Sequence, residues 1–108
     1  MFPFRFDASP DELLGAIDHL QEVVACVRRD AGSCVTPEHE RMLHALTRGL
    51  RPLAGDDAHA LGIDVRDAAL RALEASEPAA PLLVLDLTSD SLQRLLQRMA
   101  TAATPQAA

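Results

Sequence analysis

The sequence predicts a mainly α-helical protein, a four-helix domain built on an N-terminal antiparallel helical hairpin. The chain has 108 residues, enough for one modest core. Of its residues 48% are hydrophobic, most of them Leu and Ala, and there is no Trp or Tyr. This composition favours close-packed helices over a sheet sandwich. Apolar residues also recur at spacings of three and four over long stretches, which is typical of amphipathic helices.

The first helix is predicted over residues 9–31. Ser9 provides the N-cap, Pro10 suits the first helical position, and Glu12 has capping-box spacing to Ser9. Gly32 follows as a left-handed stop. The apolar stripe repeats every three or four residues, as in a helix that lies along a partner helix. Its members are Leu13, Ile17, Leu20, Val24, Val27 and Ala31.

Two further helices are predicted in the middle of the chain. The second has Thr36 as its cap and Pro37 at its first position. Pro52 must bend or end this helix, because proline removes one backbone hydrogen bond. The short connection to the first helix predicts an antiparallel hairpin over residues 9–54. The third helical region begins at Asp56 and ends before the next two prolines.

Residues 82–87 form an apolar run that fits either a buried strand or the head of the last helix. Periodicity alone does not decide between them over so short a stretch. The flanking prolines and the cap-forming residues 88–90 favour a short extended segment. A lone strand must pair with another, and two partners remain open: residues 2–6, or the same strand of a second subunit. A final helix follows, with the stripe Leu92, Leu95, Leu96, Met99 and Ala103.

The helical domain is placed at residues 9–103, with a short segment on either side. Residues 1–8 are predicted to form an extended arm, and residues 104–108 a flexible tail. The arm carries the chain's only aromatic residues at alternate positions, which places the three rings on one side of a strand. They either fold onto the protein's own core or dock on a second subunit or a partner. The three residues are Phe2, Phe4 and Phe6.

The expected core is apolar and draws on every predicted helix and on the run at residues 82–87. We expect it to contain Leu13, Ile17, Leu20, Val24, Val27, Leu43, Leu46, Leu50, Leu61, Leu70, Leu73, Leu83, Leu85, Leu92, Leu95 and Leu96.

Charge and hydropathy argue against several classes of partner. The net charge is −6, and an acidic surface repels the phosphate backbone of nucleic acids. The longest apolar run, residues 79–85, is too short to cross a bilayer, and nothing at the N-terminus resembles a signal peptide. Two cysteines in such a chain indicate reduced thiols rather than a disulfide framework. We therefore expect a cytoplasmic protein that binds neither nucleic acid nor membrane.

Candidate metal-ligating and redox residues are few. His19 and Cys26 are seven positions apart on the first helix, about 10.5 Å along its axis, and do not converge without other ligands. Cys34 precedes His39 and His44, but no CxxC, HxxxH or HExxH spacing is present. We therefore predict no metal or cofactor. An alternative function remains open, a metal- or redox-responsive sensor that uses Cys26 and Cys34 with a nearby histidine: His19, His39 or His44. His19, Cys26 and Cys34 are the candidate metal ligands.

The function expected from the sequence is that of a small acidic adaptor. GxSxG, P-loop and GxGxxG motifs are absent, which indicates a non-catalytic protein. A secretion chaperone, or an antagonist that sequesters a regulator, would bind its partner by helix-in-groove contact or strand addition. The heptad-like first helix and the unpaired strand also predict a homodimer. The residues expected to contact the partner are Phe2, Phe4, Phe6, Leu83, Leu85 and Leu87.

Overall fold

A computed structural model describes residues 9–103 of the chain and shows three α-helices within them. These are α1 (Pro10–Asp30), α2 (Pro37–Glu74) and α3 (Ala79–Ala103). The predicted mainly helical class is confirmed. The predicted arm and tail, and with them the three phenylalanines, lie outside the described residues.

The start of α1 follows its local sequence signals. The Ser9 hydroxyl accepts a hydrogen bond from the Glu12 backbone N–H at 3.2 Å, and the Glu12 carboxylate accepts one from the Ser9 N–H at 3.0 Å. This is the predicted capping box. Gly32 has the positive φ, 83°, of a left-handed stop. The buried residues of α1 are Leu13, Ile17, Leu20, Val23 and Val27.

The long helix α2 bends sharply at Gly55. The φ and ψ angles of this residue, 91° and −176°, are not helical. Residues on the two sides of the bend contact each other: the Thr47 carbonyl oxygen lies 3.2 Å from Nδ1 of His59. In a straight helix, residues twelve positions apart are separated by ~18 Å. The segments 37–54 and 56–74 therefore fold back and pack side by side.

The contact between the two segments of α2 is close. A Cβ atom added to Gly62 would lie 2.3 Å from Cδ1 of the buried Leu50. An alanine at this position would force the Leu50 side chain to shift. The predicted count of four helices is not matched exactly: the described residues form three helical elements, and α2 consists of two helical segments joined at the non-helical Gly55 without an intervening loop.

The predicted strand at residues 82–87 is wrong, because these residues lie inside α3. Pro81 does not prevent a helix, since it falls in the first turn, where backbone N–H groups have no intrahelical partner. Thr88 and Ser89 were expected to cap a later helix. Their hydroxyls instead donate to backbone carbonyls three and four residues earlier, within α3. The pairing across a dimer that depended on this strand loses its basis.

The helix α3 packs against both other helices. It runs antiparallel to α1, because Arg28 pairs with Asp86 at one end and Gln21 bonds to Gln93 two turns along. The hairpin predicted over residues 9–54 is therefore not the centre of the fold on its own. None of the helices within residues 9–103 is long and apolar enough to cross a membrane.

Most of the predicted core is buried, and the exceptions follow from helix geometry. Val23 rather than Val24 is fully buried, and Val24 is only partly covered, as are Leu61, Leu70 and Leu95. Leu83 was expected in the core but is 59% exposed. Its side chain points away from the bundle, because residues 83 and 85 lie on nearly opposite sides of a helix.

Candidate functional site

The first half of α3 exposes an apolar surface. Leu83, Val84 and Leu87 are 59%, 44% and 62% exposed, and their spacing places them side by side on the helix. We call these three residues the α3 apolar face. Further along the same side, Asp90 and Arg94 form an ion pair at 3.1 Å. The apolar surface is therefore local and ends where charged residues begin.

The α3 apolar face contains two of the leucines predicted to contact a partner. Leu83 and Leu87 lie on it together, whereas Leu85 is fully buried on the opposite side of α3. The predicted contact residues do not include Val84, because a strand has a period of two and places residues 83, 85 and 87 on one face. A helical period of 3.6 applied to the same residues would have found it.

A group of three side chains that each carry a possible metal-ligand atom lies where α1 leads into α2. Sγ of Cys26, a carboxylate oxygen of Asp30 and a ring nitrogen of His39 all lie within 4.8 Å of one another. Oδ2 of Asp30 is 2.8 Å from Nε2 of His39 and 3.6 Å from Sγ of Cys26. Cys26 and Asp30 are one turn apart on α1, and His39 belongs to the first turn of α2. We call these three residues the junction cluster.

The hydrogen bonds around His39 define its tautomer. The Thr36 backbone N–H donates to Nδ1 of His39 at 3.1 Å. An N–H group only donates, so Nδ1 is the acceptor and the proton of the neutral ring lies on Nε2. Nε2–H then donates to Asp30. His39 is 5% exposed and takes the place that Glu or Gln has in an ordinary capping box. It thus joins the end of α1 to the start of α2.

Arg29 lies on the solvent side of the junction cluster. Its guanidinium donates to Oδ1 of Asp30 at 3.2 Å and to Sγ of Cys26 at 3.3 Å. The hydrogen bond from His39 and then that from Arg29 lower the pKa of Asp30 to about 2. Burial raises the pKa of the Cys26 thiol, and the charge of Arg29 opposes this shift. At neutral pH the cluster therefore holds a carboxylate and a thiol.

The other candidate ligands lie apart from the cluster. Cys34 is an exposed free thiol in the loop after α1. His19 lies two turns before Cys26 on α1, and its Nε2 is buried without a hydrogen-bond partner among the described residues. His44 is exposed on α2. Sequence reasoning missed Asp30, although its spacing of four from Cys26 on a helix was a usable signal.

We expect Asp30→Asn to destabilise the protein at pH 6, by an amount that shrinks as the pH falls. The pKa of Asp30 lies below its ordinary value of 3.8, so the ionised carboxylate stabilises the folded state above that pH. This contribution is lost as the pH falls towards 2. Urea unfolding of both proteins at pH 6 and pH 2.5 tests the prediction. Asp64→Asn, at an exposed position on α2, is the control for loss of a negative charge. The prediction would be contradicted if the free energies of unfolding of Asp30→Asn and the native protein differed by the same amount at both pH values.

The chain matches no known protein family, no curated protein and no solved structure.

Proposed function

We propose that this chain is a small, acidic, non-catalytic cytoplasmic adaptor that binds another protein through the α3 apolar face. The exposure of that face is the observation that carries the proposal. Four large apolar side chains are exposed among residues 9–103, and three of them are adjacent on the first turns of α3. Single exposed apolar residues are common on protein surfaces, whereas adjacent ones often mark contact sites.

The contact proposed is between helices. Strand addition loses its basis, because residues 82–87 are helical. Leu83 and Leu87 are one turn apart on α3. This is the spacing of the apolar residues with which a helix packs against an amphipathic partner helix. Each is about three-fifths exposed, so burying the exposed remainder of each would stabilise a complex by about 1–2 kcal/mol before the entropic cost of association.

Charge indicates the chemistry of the partner. The chain has a net charge of −6, and Glu74 and Glu77 are exposed at the connection that leads into α3. A partner helix with Arg or Lys beside its apolar stripe is therefore complementary to this end of the bundle. A homodimer would bring two chains of the same charge together, which is less favourable.

The α3 apolar face lies far from Ser9, the residue at which the aromatic arm (residues 1–8) joins the described part of the chain. Because α1 and α3 are antiparallel, Ser9 and Leu87 lie near opposite ends of the bundle, ~27 Å apart along the axis. Residues 1–8 span at most ~28 Å when fully extended, so covering the face would require almost the whole segment to be extended, at a cost in conformational entropy. Another molecule is the better occupant, and the aromatic arm is proposed as a separate contact.

Photo-crosslinking tests this function. With a photoreactive amino acid at position 84, we expect a discrete adduct with a second protein in cells of the native host. The cross-linked segment should be a basic amphipathic helix. The same amino acid at position 14, an exposed leucine on α1, should give no adduct. The double substitution Leu83→Ser and Leu87→Ser should lower the adduct yield at least tenfold.

The alternatives give different results in this experiment. An adduct between two copies of the chain would contradict the adaptor proposal and show that the α3 apolar face is a homodimer interface. No adduct at position 84, or an equal yield at position 14, would contradict the proposed function. Circular dichroism of the double variant should show unchanged helix content, because both leucines are exposed.

A further inference from the structure

We propose that Cys26, Asp30 and His39 form a binding site for one divalent transition-metal ion, with Zn²⁺ the best match. The three residues offer a sulfur, an oxygen and a nitrogen ligand, all within 4.8 Å of one another. Zinc binds this combination of ligands in tetrahedral sites, and a water molecule can take the fourth position on the solvent side. This site is separate from the α3 apolar face and does not depend on the adaptor function.

The distances in the cluster are close to those of such a site. In tetrahedral zinc coordination, sulfur and oxygen ligands lie ~3.5 Å apart, and oxygen and nitrogen ligands ~3.3 Å. Sγ of Cys26 is 3.6 Å from Oδ2 of Asp30. Nε2 of His39 is 2.8 Å from the same oxygen, since a hydrogen bond joins them. Replacing this proton with an ion needs the oxygen and nitrogen atoms to separate by ~0.5 Å, and Sγ of Cys26 and the ring nitrogen of His39, which lie within 4.8 Å of each other, to come to ~3.5 Å. Side-chain rotation provides both shifts.

The ligands are held in place before any ion binds. Cys26 and Asp30 are one turn apart on the same helix. His39 is buried and is fixed by the capping box with Thr36. The connection between α1 and α2 is anchored in turn, because the Gly32 N–H donates to the Ala72 carbonyl at 3.0 Å. Little conformational entropy is therefore lost when the ligands converge.

Two protons must move for the ion to bind. The Cys26 thiol releases its proton to solvent, because the thiolate is the metal ligand. The ring proton of His39 leaves Nε2, and the ring takes the tautomer protonated at Nδ1. Nδ1–H then donates to the Thr36 hydroxyl, which lies 3.1 Å away. Metal-bound histidines commonly donate their second N–H to such an oxygen acceptor. The hydrogen bond from the Thr36 backbone N–H is given up.

Arg29 must also leave the sulfur atom. Its guanidinium contacts both Cys26 and Asp30, but its side chain is 73% exposed. It can therefore turn into solvent without disturbing the core. The sulfur and imidazole ligands select Zn²⁺ or Co²⁺ over Mg²⁺ and Ca²⁺, which prefer oxygen ligands.

Titration of the full chain with Co²⁺, in the presence of a non-thiol reductant, tests the site. We expect saturable binding of one ion, with the near-ultraviolet charge-transfer absorption that a cobalt–thiolate bond produces. An excess of Zn²⁺ should abolish this absorption, and an excess of Mg²⁺ should not. Cys26→Ser should eliminate it and weaken binding at least tenfold. Cys34→Ser, which removes the other thiol at an exposed position, should leave the absorption and the affinity unchanged.

A second variant separates the metal ligand from the helix cap. His39→Gln removes the imidazole but keeps a side chain that suits this position of a capping box. It should retain the helical circular dichroism and lose at least tenfold in affinity for Co²⁺. In the native protein, the backbone amide resonance of Thr36 should shift when Zn²⁺ binds, because its hydrogen bond to Nδ1 is lost.

Three results would overturn the proposal. They are an absence of saturation at millimolar Co²⁺, the same absorption in Cys26→Ser as in the native protein, and saturable binding that leaves the Thr36 amide unchanged.

Discussion

Leu85→Ala is expected to lower the free energy of unfolding by about 3 kcal/mol, as for other fully buried leucines. The neighbouring substitution Leu87→Ala is expected to change it by less than ~0.5 kcal/mol. The side chain of Leu85 is 0% exposed and that of Leu87 is 62% exposed, although only two positions separate them. Urea unfolding at pH 7, followed by helical circular dichroism, measures both changes.

This pair of substitutions tests the conformation of residues 82–87 directly. On a strand, residues two positions apart share a face, and the two leucines would be buried to a similar degree. On α3 they lie on nearly opposite sides. Leu83→Ala is the second control, since Leu83 is also largely exposed. Similar losses of stability at positions 85 and 87 would contradict the helical assignment.

Gly55→Ala is expected to destabilise the protein by about 2 kcal/mol or more. The φ angle of 91° and ψ of −176° at Gly55 belong to a region that is essentially restricted to glycine. A Cβ atom there would force the bend in α2 to change. This would move the segment after the bend away from the segment before it. Thermal or urea unfolding of the variant measures the loss.

A matched glycine in the same helix should respond in the opposite direction. Gly49 is exposed within the first segment of α2, and a Cβ atom added to it would meet nothing within 4 Å. Gly49→Ala should therefore stabilise the protein by about 0.5–1 kcal/mol, the difference in helix propensity. If Gly55→Ala were as stabilising as Gly49→Ala, the bend at Gly55 would be contradicted.

The candidate sites were only partly accessible from the sequence. Cys26 was identified as a candidate ligand on α1, and Asp30 lies one turn further along the same helix, but His39 becomes their neighbour only when the chain turns at Gly32. Nine positions separate Asp30 from His39, so their contact depends on the path of the loop and not on helix periodicity. His39 was also an unexpected partner for Thr36, because Glu or Gln usually occupies that position of a capping box.

The sequence by itself determined the features that depend on nearby residues. The capping box of Ser9 and Glu12, the cap at Thr36 and the stop at Gly32 are local, since each depends on hydrogen bonds or backbone angles within a few residues.

Only the tertiary structure decided what residues 82–87 become and how α2 folds back at Gly55. A short apolar run satisfies both strand and helix patterns. The packing of α3 against α1 and α2 selects the helix by burying Leu85 and leaving Leu83 and Leu87 in solvent. The same packing created the exposed face on which the proposed function is based, because one helix cannot bury all sides of an apolar run against a single core.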